Sequence, residues 1–219
     1  MSESFLIAGI LSISGGLQDV YTYMYRGKVF ANAQTGNIVL LAQNLVDRNW
    51  SVALRYFSPL LFFALGVAAA ECIHMRYQKA QRIHWRQLVL AIEILLLFAV
   101  GFFPNEMDLL ANAMVSFACA MQVDSFRKFR GIPCATTMCI GNMRSGTELL
   151  CRYHITKDPE LKRKSLHYYF IILVFAIGAA IGAVASQKFG NPAIWIAAGL
   201  MLLGFILMFV KEEIQGETE

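Results

Sequence analysis

The chain has 219 residues, 57% of them hydrophobic and only 16% charged, with a net charge of +4. Soluble domains carry about 25% charged residues, so this chain has too little polar surface to stay in water as a compact globule. Its basic residues lie between long apolar blocks rather than on one contiguous face, which excludes nucleic acid as a partner and points to positive loops beside a membrane.

Eight apolar blocks follow one another at roughly 5–24, 29–46, 56–75, 87–103, 109–126, 133–151, 168–187 and 192–210. The start, Met1-Ser2-Glu3-Ser4, has no basic region and the first block no cleavage pattern, so that block reads as a retained span. A spanning helix needs about 20 mostly apolar residues, and the first, third, fourth, fifth, seventh and eighth blocks meet this. The second block carries Asn32, Gln34, Thr35, Gly36, Asn37, Gln43 and Asn44, and the sixth carries Thr136, Thr137, Gly141, Asn142, Arg144 and Glu148. Neither can face lipid all round without a large cost.

The linkers set the topology. Arg76, Lys79, Arg82 and Arg86 lie in 76–86; Arg127, Lys128 and Arg130 in 127–130; and Arg152, Lys157, Lys162, Arg163 and Lys164 in 152–164. The turn at 104–108 is acidic, with Glu106 and Asp108. Six full crossings put all three basic linkers and both termini inside; eight would place the third linker opposite the other two. The six-span arrangement leaves Arg26, Lys28, Arg48 and Arg55 outside.

Matched features recur in the two halves. Gln18, Gly27 and Gly36-Asn37 are echoed by Gln122, Gly131 and Gly141-Asn142, and each Gly-Asn pair is followed by a charged linker and a Gly/Ala-rich span. The expected fold is therefore an all-α polytopic membrane protein. It has about six spanning helices plus two broken or re-entrant polar helices, in two pseudo-symmetric repeats. Three crossings per half make the repeats inverted. The expected organisation is a single transmembrane domain over 1–219, with repeats at approximately 1–103 and 104–211 and a polar tail at 212–219.

Gly16-Leu17-Gln18-Asp19, Phe30 and Thr35-Gly36-Asn37-Ile38-Val39-Leu40-Leu41 resemble the bacterial YoaK-type (DUF1275) membrane proteins, a family of unknown function. Ala120-Met121-Gln122, Ala135-Thr136-Thr137, Gly141-Asn142 and Glu93 look like further family elements. The resemblance implies a bacterial inner-membrane location and no substrate. The Thr-Gly-Asn element is also similar to one in formate/nitrite channels, which have six spans and two interrupted helices.

Several residues are candidates for chemistry. Thr35, Gly36 and Asn37 suit a helix start within the membrane, its positive end aimed at an anion or polar solute, with Gly141 and Asn142 repeating it; alternatively Thr and Asn only cap and bridge helices. Gln18 and Asp19, with Gln122 and Asp124, place carboxylates and amides in spans. Asp19 either faces a cavity or pairs with Arg26 or Lys28. Asp124 is read as paired with Arg127 or Lys128. Glu93 has no charged neighbour within four residues and serves either as a proton relay or as a protonated interhelical bond. Arg144 and Glu148 share a helix face and are read as an internal ion pair, with anion binding by Arg144 as the alternative. Thr136 and Thr137 complete the second-half set.

The five cysteines, Cys72, Cys119, Cys134, Cys139 and Cys151, form no disulfide framework. No metal spacing or hydrolase motif is apparent, so no enzyme, cofactor or metal is expected. The leading reading is a small-solute transporter or channel with a polar midplane site, its partners being the lipid bilayer, an unknown small polar or anionic solute and a homo-oligomer. The other reading is a membrane scaffold associating through faces such as Gly178-Ala179-Ala180-Ile181-Gly182.

Overall fold

A computed structural model describes residues 5–78, 84–129 and 131–216, with side chains to 208. Met1 to Ser4, Lys79, Arg82, Arg130 and the end of the 212–219 tail lie outside the described residues. The chain is an all-α, multi-span membrane protein. Its helices are α1 (Phe5–Tyr25), α2 (Gln34–Val46), α3 (Trp50–Tyr77), α4 (Trp85–Val100), α5 (Asp108–Ser125), α6 (Cys139–Thr156), α7 (Pro159–Phe189) and α8 (Ile194–Gly216). A two-residue ladder, Lys128–Phe129 against Ile132–Pro133, turns at Gly131.

Among the described residues, four segments are long and apolar enough to cross a membrane: Phe5–Tyr25, Trp50–Tyr77, Pro159–Phe189 and Asn191–Met208. Helix α4 has 16 residues. Helix α5 has 18 and buries Asn112, Ser116, Gln122 and Asp124, so its polarity is spent inside the fold. The 13 residues of α2 rise only about 20 Å, too little for a bilayer core of about 30 Å.

The linker expected over 152–164 is mostly helix. Asp158 accepts a bond from the Glu160 amide at 2.9 Å and Pro159 opens the helix, so α7 starts nine residues before its apolar block. That is an N-cap followed by proline at the first helical position. Lys157 alone takes the left-handed turn between α6 and α7, at φ 57°.

Helix α1 packs along α7, and α3 along α5; α2 lies on α3, and α6 on α7; α8 lies against α1 and α4, and α4 against α5. The α1–α7 seam is closed by small residues. A Cβ on Gly178 would strike the carbonyl of Ile13, and one on Gly182 would lie 2.8 Å from the Leu17 Cα. The Gly178/Gly182 face is thus used within the chain.

The two ends of the bundle differ. At one, Arg26 is fully buried and bonds the carbonyls of Val100 (3.1 Å), Phe103 (2.9 Å) and Pro104 (3.2 Å), the Tyr21 hydroxyl (2.8 Å) and Asp108 (2.9 Å). It joins the end of α1 to the end of α4 and the start of α5. The Tyr21 hydroxyl donates to the Asn191 carbonyl at 3.1 Å, and the Trp195 indole to that of Phe98 at 2.9 Å. At the opposite end, Phe5 stacks on His167 and Phe170, Arg127 approaches Glu71 at 3.6 Å, and Arg86 bonds the Ser125 carbonyl at 2.9 Å.

Candidate functional site

Two chain segments break the helical pattern and both turn inward to the middle of α1. Residues 26–33 lead from the end of α1 to α2, through left-handed turns at Gly27 (φ 82°) and Lys28 (φ 64°). Residues 126–138 lead from α5 to α6, through Gly131 (φ 76°). The Asn32 side chain donates to the Gly15 carbonyl at 3.3 Å, and Thr137 lies against the Gly15 Cα. Gly15 is the central residue of α1.

Each segment is tied down by an asparagine one turn inside the following helix. The Asn37 Nδ2 donates to the Phe30 carbonyl at 2.7 Å, and its Oδ1 accepts from the Phe30 amide at 3.2 Å. The Asn142 Nδ2 donates to the Ala135 carbonyl at 2.7 Å. Both asparagines reach back seven residues and both are buried. They satisfy backbone groups that the extended segments would otherwise leave unpaired in an apolar interior. Gly36 lets the Phe30 ring lie close, since a Cβ there would sit 3.1 Å from it.

Between the starts of α2 and α6 lies a pocket of about 460 Å³. Its polar lining comes from Asp19, Asn32, Gln34, Thr35, Thr137 and Cys139, with Gly141 at its edge. Phe63, from the middle of α3, and Phe175, from the middle of α7, wall it. Asp19 is buried, and its Oδ1 accepts from the Asn32 amide at 2.7 Å; the amides of Ala31 and Ala33 and the Asn32 side chain also face this carboxyl. It fixes the segment ahead of α2, whose N-cap makes no side-chain bond of its own. It does not pair with Arg26, which is committed to Asp108. Thr137 is 7% exposed and its hydroxyl has no partner among the described residues.

A second pocket of about 400 Å³ lies on the other side of the α6 start. Asp124, Ala135, Gly141, Asn142 and Ser145 line it with Arg127. Asp124 contacts Arg127, the pairing its sequence neighbours suggest.

Not every sequence candidate meets these pockets. Gln18 faces the α1–α5 contact, donating to Ser14 at 3.0 Å and accepting from the Cys119 thiol at 3.0 Å. Gln122 donates to the Leu11 carbonyl at 3.2 Å and the Thr136 hydroxyl at 2.8 Å. Arg144 is exposed and does not form the expected pair with Glu148, which bonds Arg152 at 3.0 Å. Glu93 is fully buried on α4, and neither of its oxygens has a partner among the described residues. Among the described residues no three His, Cys, Asp or Glu side chains are grouped to hold a metal.

Because Glu93 makes no hydrogen bond among the described residues, an amide of the same shape removes an uncompensated group rather than a contact. Glu93→Gln is expected to keep the melting temperature within roughly 4 °C of the parent, the shift that about 1 kcal/mol produces at this size. A larger fall in a detergent melting curve would mean that the carboxyl holds a partner.

Asn32, Gln34 and Cys139 line the first pocket although the sequence reading named none of them as a site. The run Asn32-Ala33-Gln34, directly ahead of Thr-Gly-Asn, was the available signal. Phe63 and Phe175 gave none, being aromatic residues in aromatic-rich spans.

The family described as "Protein of unknown function (DUF1275)" matches this chain over residues 7–207. The chain is 25% identical over 223 residues to the UPF0700 transmembrane protein YoaK of Bacillus subtilis (strain 168), covering 96% of each. No solved structure matches.

Proposed function

The chain belongs to the DUF1275 family of YoaK-type membrane proteins, and within that family we propose that it is a small-solute transporter or channel whose site is the pocket between the starts of α2 and α6. One observation carries this reading. A pocket that carries Asp19, Asn32, Gln34, Thr35 and Thr137 is walled by the middle residues of α3 and α7, at the depth where a lipid-facing surface would be apolar.

In this reading α1, α3, α4, α5, α7 and α8 cross the membrane, while α2 and α6 are half-helices that start near its middle. The whole chain is one transmembrane domain of two inverted repeats. Four observations support the repeats: the paired packing of α1 on α7 and α3 on α5, that of α2 on α3 and α6 on α7, the positive φ of Gly27 and Gly131 ahead of α2 and α6, and the two asparagines reaching back seven residues. Both termini and the end carrying Arg76, Arg86, Arg127, Lys128 and Lys162 are cytoplasmic, in a bacterial inner membrane. Arg26 costs this topology little, because it is spent on Asp108 and three carbonyls rather than free in an outer loop. The scaffold reading loses its best surface, since Gly178 and Gly182 pack on α1.

The test is solute flux in proteoliposomes, scored as shrinkage and recovery after a solute step, with Thr137→Val in parallel. Permeation of at least one small polar solute above protein-free vesicles is expected. A drop of roughly tenfold is expected in Thr137→Val, because a site hydroxyl left out is worth about 1.4 kcal/mol or more. Permeability equal to that of empty vesicles across sugars, polyols, amino acids and small ions would sink the reading.

A further inference from the structure

We propose that the pocket recognises a small zwitterion, its ammonium held at Asp19 and its carboxylate at the first turn of α6. This names a substrate class for the site above and rests on that reading.

The charge inventory comes first. Asp19 is the one charged side chain among the described residues lining the pocket; no Lys, Arg or His lines it. Each helix start carries about half a positive charge. Two such ends and one carboxylate sum to roughly zero. A solute with net charge therefore meets no net opposite charge, while a neutral molecule with two poles does.

The poles are spatially separated. Asp19 sits on the α2 side, held by the amides of the segment before that helix. An ionised carboxyl offers about four lone-pair sites, and the Asn32 amide takes one of them at Oδ1, so the carboxyl has room for an ammonium. On the α6 side no acidic residue lies in the first turn and no side chain caps it. Its leading amide N–H groups lack intrahelical acceptors, as at any helix start. Thr137, two residues ahead of that helix, lines the pocket, and its buried hydroxyl has no partner among the described residues. That set of donors fits a carboxylate. Between the poles, Phe63 and Phe175 give apolar walls against which a side chain can lie.

Cys139 lines the pocket and reports its occupancy. The full chain with Cys72→Ser and Cys151→Ser, which removes the two exposed thiols, is alkylated with N-ethylmaleimide, and labelling at Cys139 is followed by mass spectrometry. Protectants are glycine, alanine, leucine and phenylalanine, each beside the amine lacking its carboxylate and the acid lacking its ammonium, with glycerol and urea as uncharged probes. At least one amino acid is expected to protect at a concentration roughly tenfold below both of its analogues, each lost pole being worth about 1.4 kcal/mol or more. Asp19→Asn should weaken protection by amino acid and amine together and leave that by the acid unchanged. Equal or better protection by an amine or an acid, or protection by the uncharged probes alone, would overturn the zwitterion while leaving the pocket as a solute site. No protection by any probe would overturn both.

Discussion

Arg26→Ala should lower the melting temperature by roughly 10–20 °C, the effect of about 3–5 kcal/mol lost from a buried charge network in a chain of this size. The guanidinium is fully buried and uses its planar fork on five acceptors: the carbonyls of Val100, Phe103 and Pro104, the Tyr21 hydroxyl and Asp108. The Val100 carbonyl ends α4, and those of Phe103 and Pro104 lie in the turn that follows, where helix-ladder partners run out. Alanine removes all five of these bonds at once, although the Val100 and Pro104 carbonyls keep the amides of Phe103 and Met107. Lysine keeps the charge but replaces the fork by three donors on one nitrogen, so Arg26→Lys should fall between the two. Asp108 is 26% exposed on its side chain and can take water. Asp108→Asn alone should therefore cost less than Arg26→Ala, and the double variant should resemble Arg26→Ala. Melting in detergent, followed by size-exclusion chromatography, separates these cases. A fall of under roughly 3 °C in Arg26→Ala would mean that water replaces the guanidinium, and that end of the bundle would have to be wet.

Arg26 also marks where sequence reading ends. In the chain it is a basic residue just past an apolar block, indistinguishable from a solvated loop charge. Apart from Tyr21, its partners lie 74 to 82 residues away along the chain. By contrast, α1, α3, α7 and α8 were legible because long apolar runs allow little else, and the polar content of 29–46 and 133–151 marked the stretches in which non-helical segments lead into α2 and α6. The start of α7 was legible in principle: Asp158-Pro159-Glu160 is a capping signal, hidden behind the basic residues that made the stretch look like a loop. The Arg144–Glu148 expectation failed for a local reason. Glu148 has an arginine four residues to either side, and a glutamate N-terminal to its basic partner is the better-oriented pair. Arg152 wins on that rule.

The candidate site was legible in part. Thr35, Asp19, Thr137 and Gly141 were named for their polarity within apolar blocks, and all four line one pocket. Asn37 and Asn142 were named for the same reason but act one step removed, fixing Phe30 and Ala135 so that the extended segments hold their course. Composition cannot tell a residue that lines a cavity from one that shapes it. Both must be polar, because both sit where backbone groups would otherwise go unpaired.

The second large effect concerns the seam that positions those segments. Gly178→Ala and Gly16→Ala should each lower stability by about 1–3 kcal/mol, the cost of forcing a methyl group into a packed contact. A Cβ on Gly178 would meet the Ile13 carbonyl, and one on Gly16 would meet the Phe175 carbonyl and lie 2.8 Å from the Ala179 amide nitrogen. In both cases the obstacle is backbone, which cannot rotate aside as a side chain can. Gly199→Ala is the control. Nothing lies within 4 Å of a Cβ there, and replacing an unhindered helical glycine should raise stability by roughly 0.5–1 kcal/mol. The two damaging substitutions act on one contact, so their sum should exceed the cost of the double variant: once α7 has moved off α1, the second methyl group finds space. The same displacement reaches the pocket, because Phe175 is part of the seam and Thr137 rests against Gly15 one residue from Gly16. Gly16→Ala should therefore change N-ethylmaleimide reactivity at Cys139, whereas Gly199→Ala should not. Equal reactivity in both, with the stability loss present in Gly16→Ala alone, would separate the seam from the site and confine α7 to a structural part.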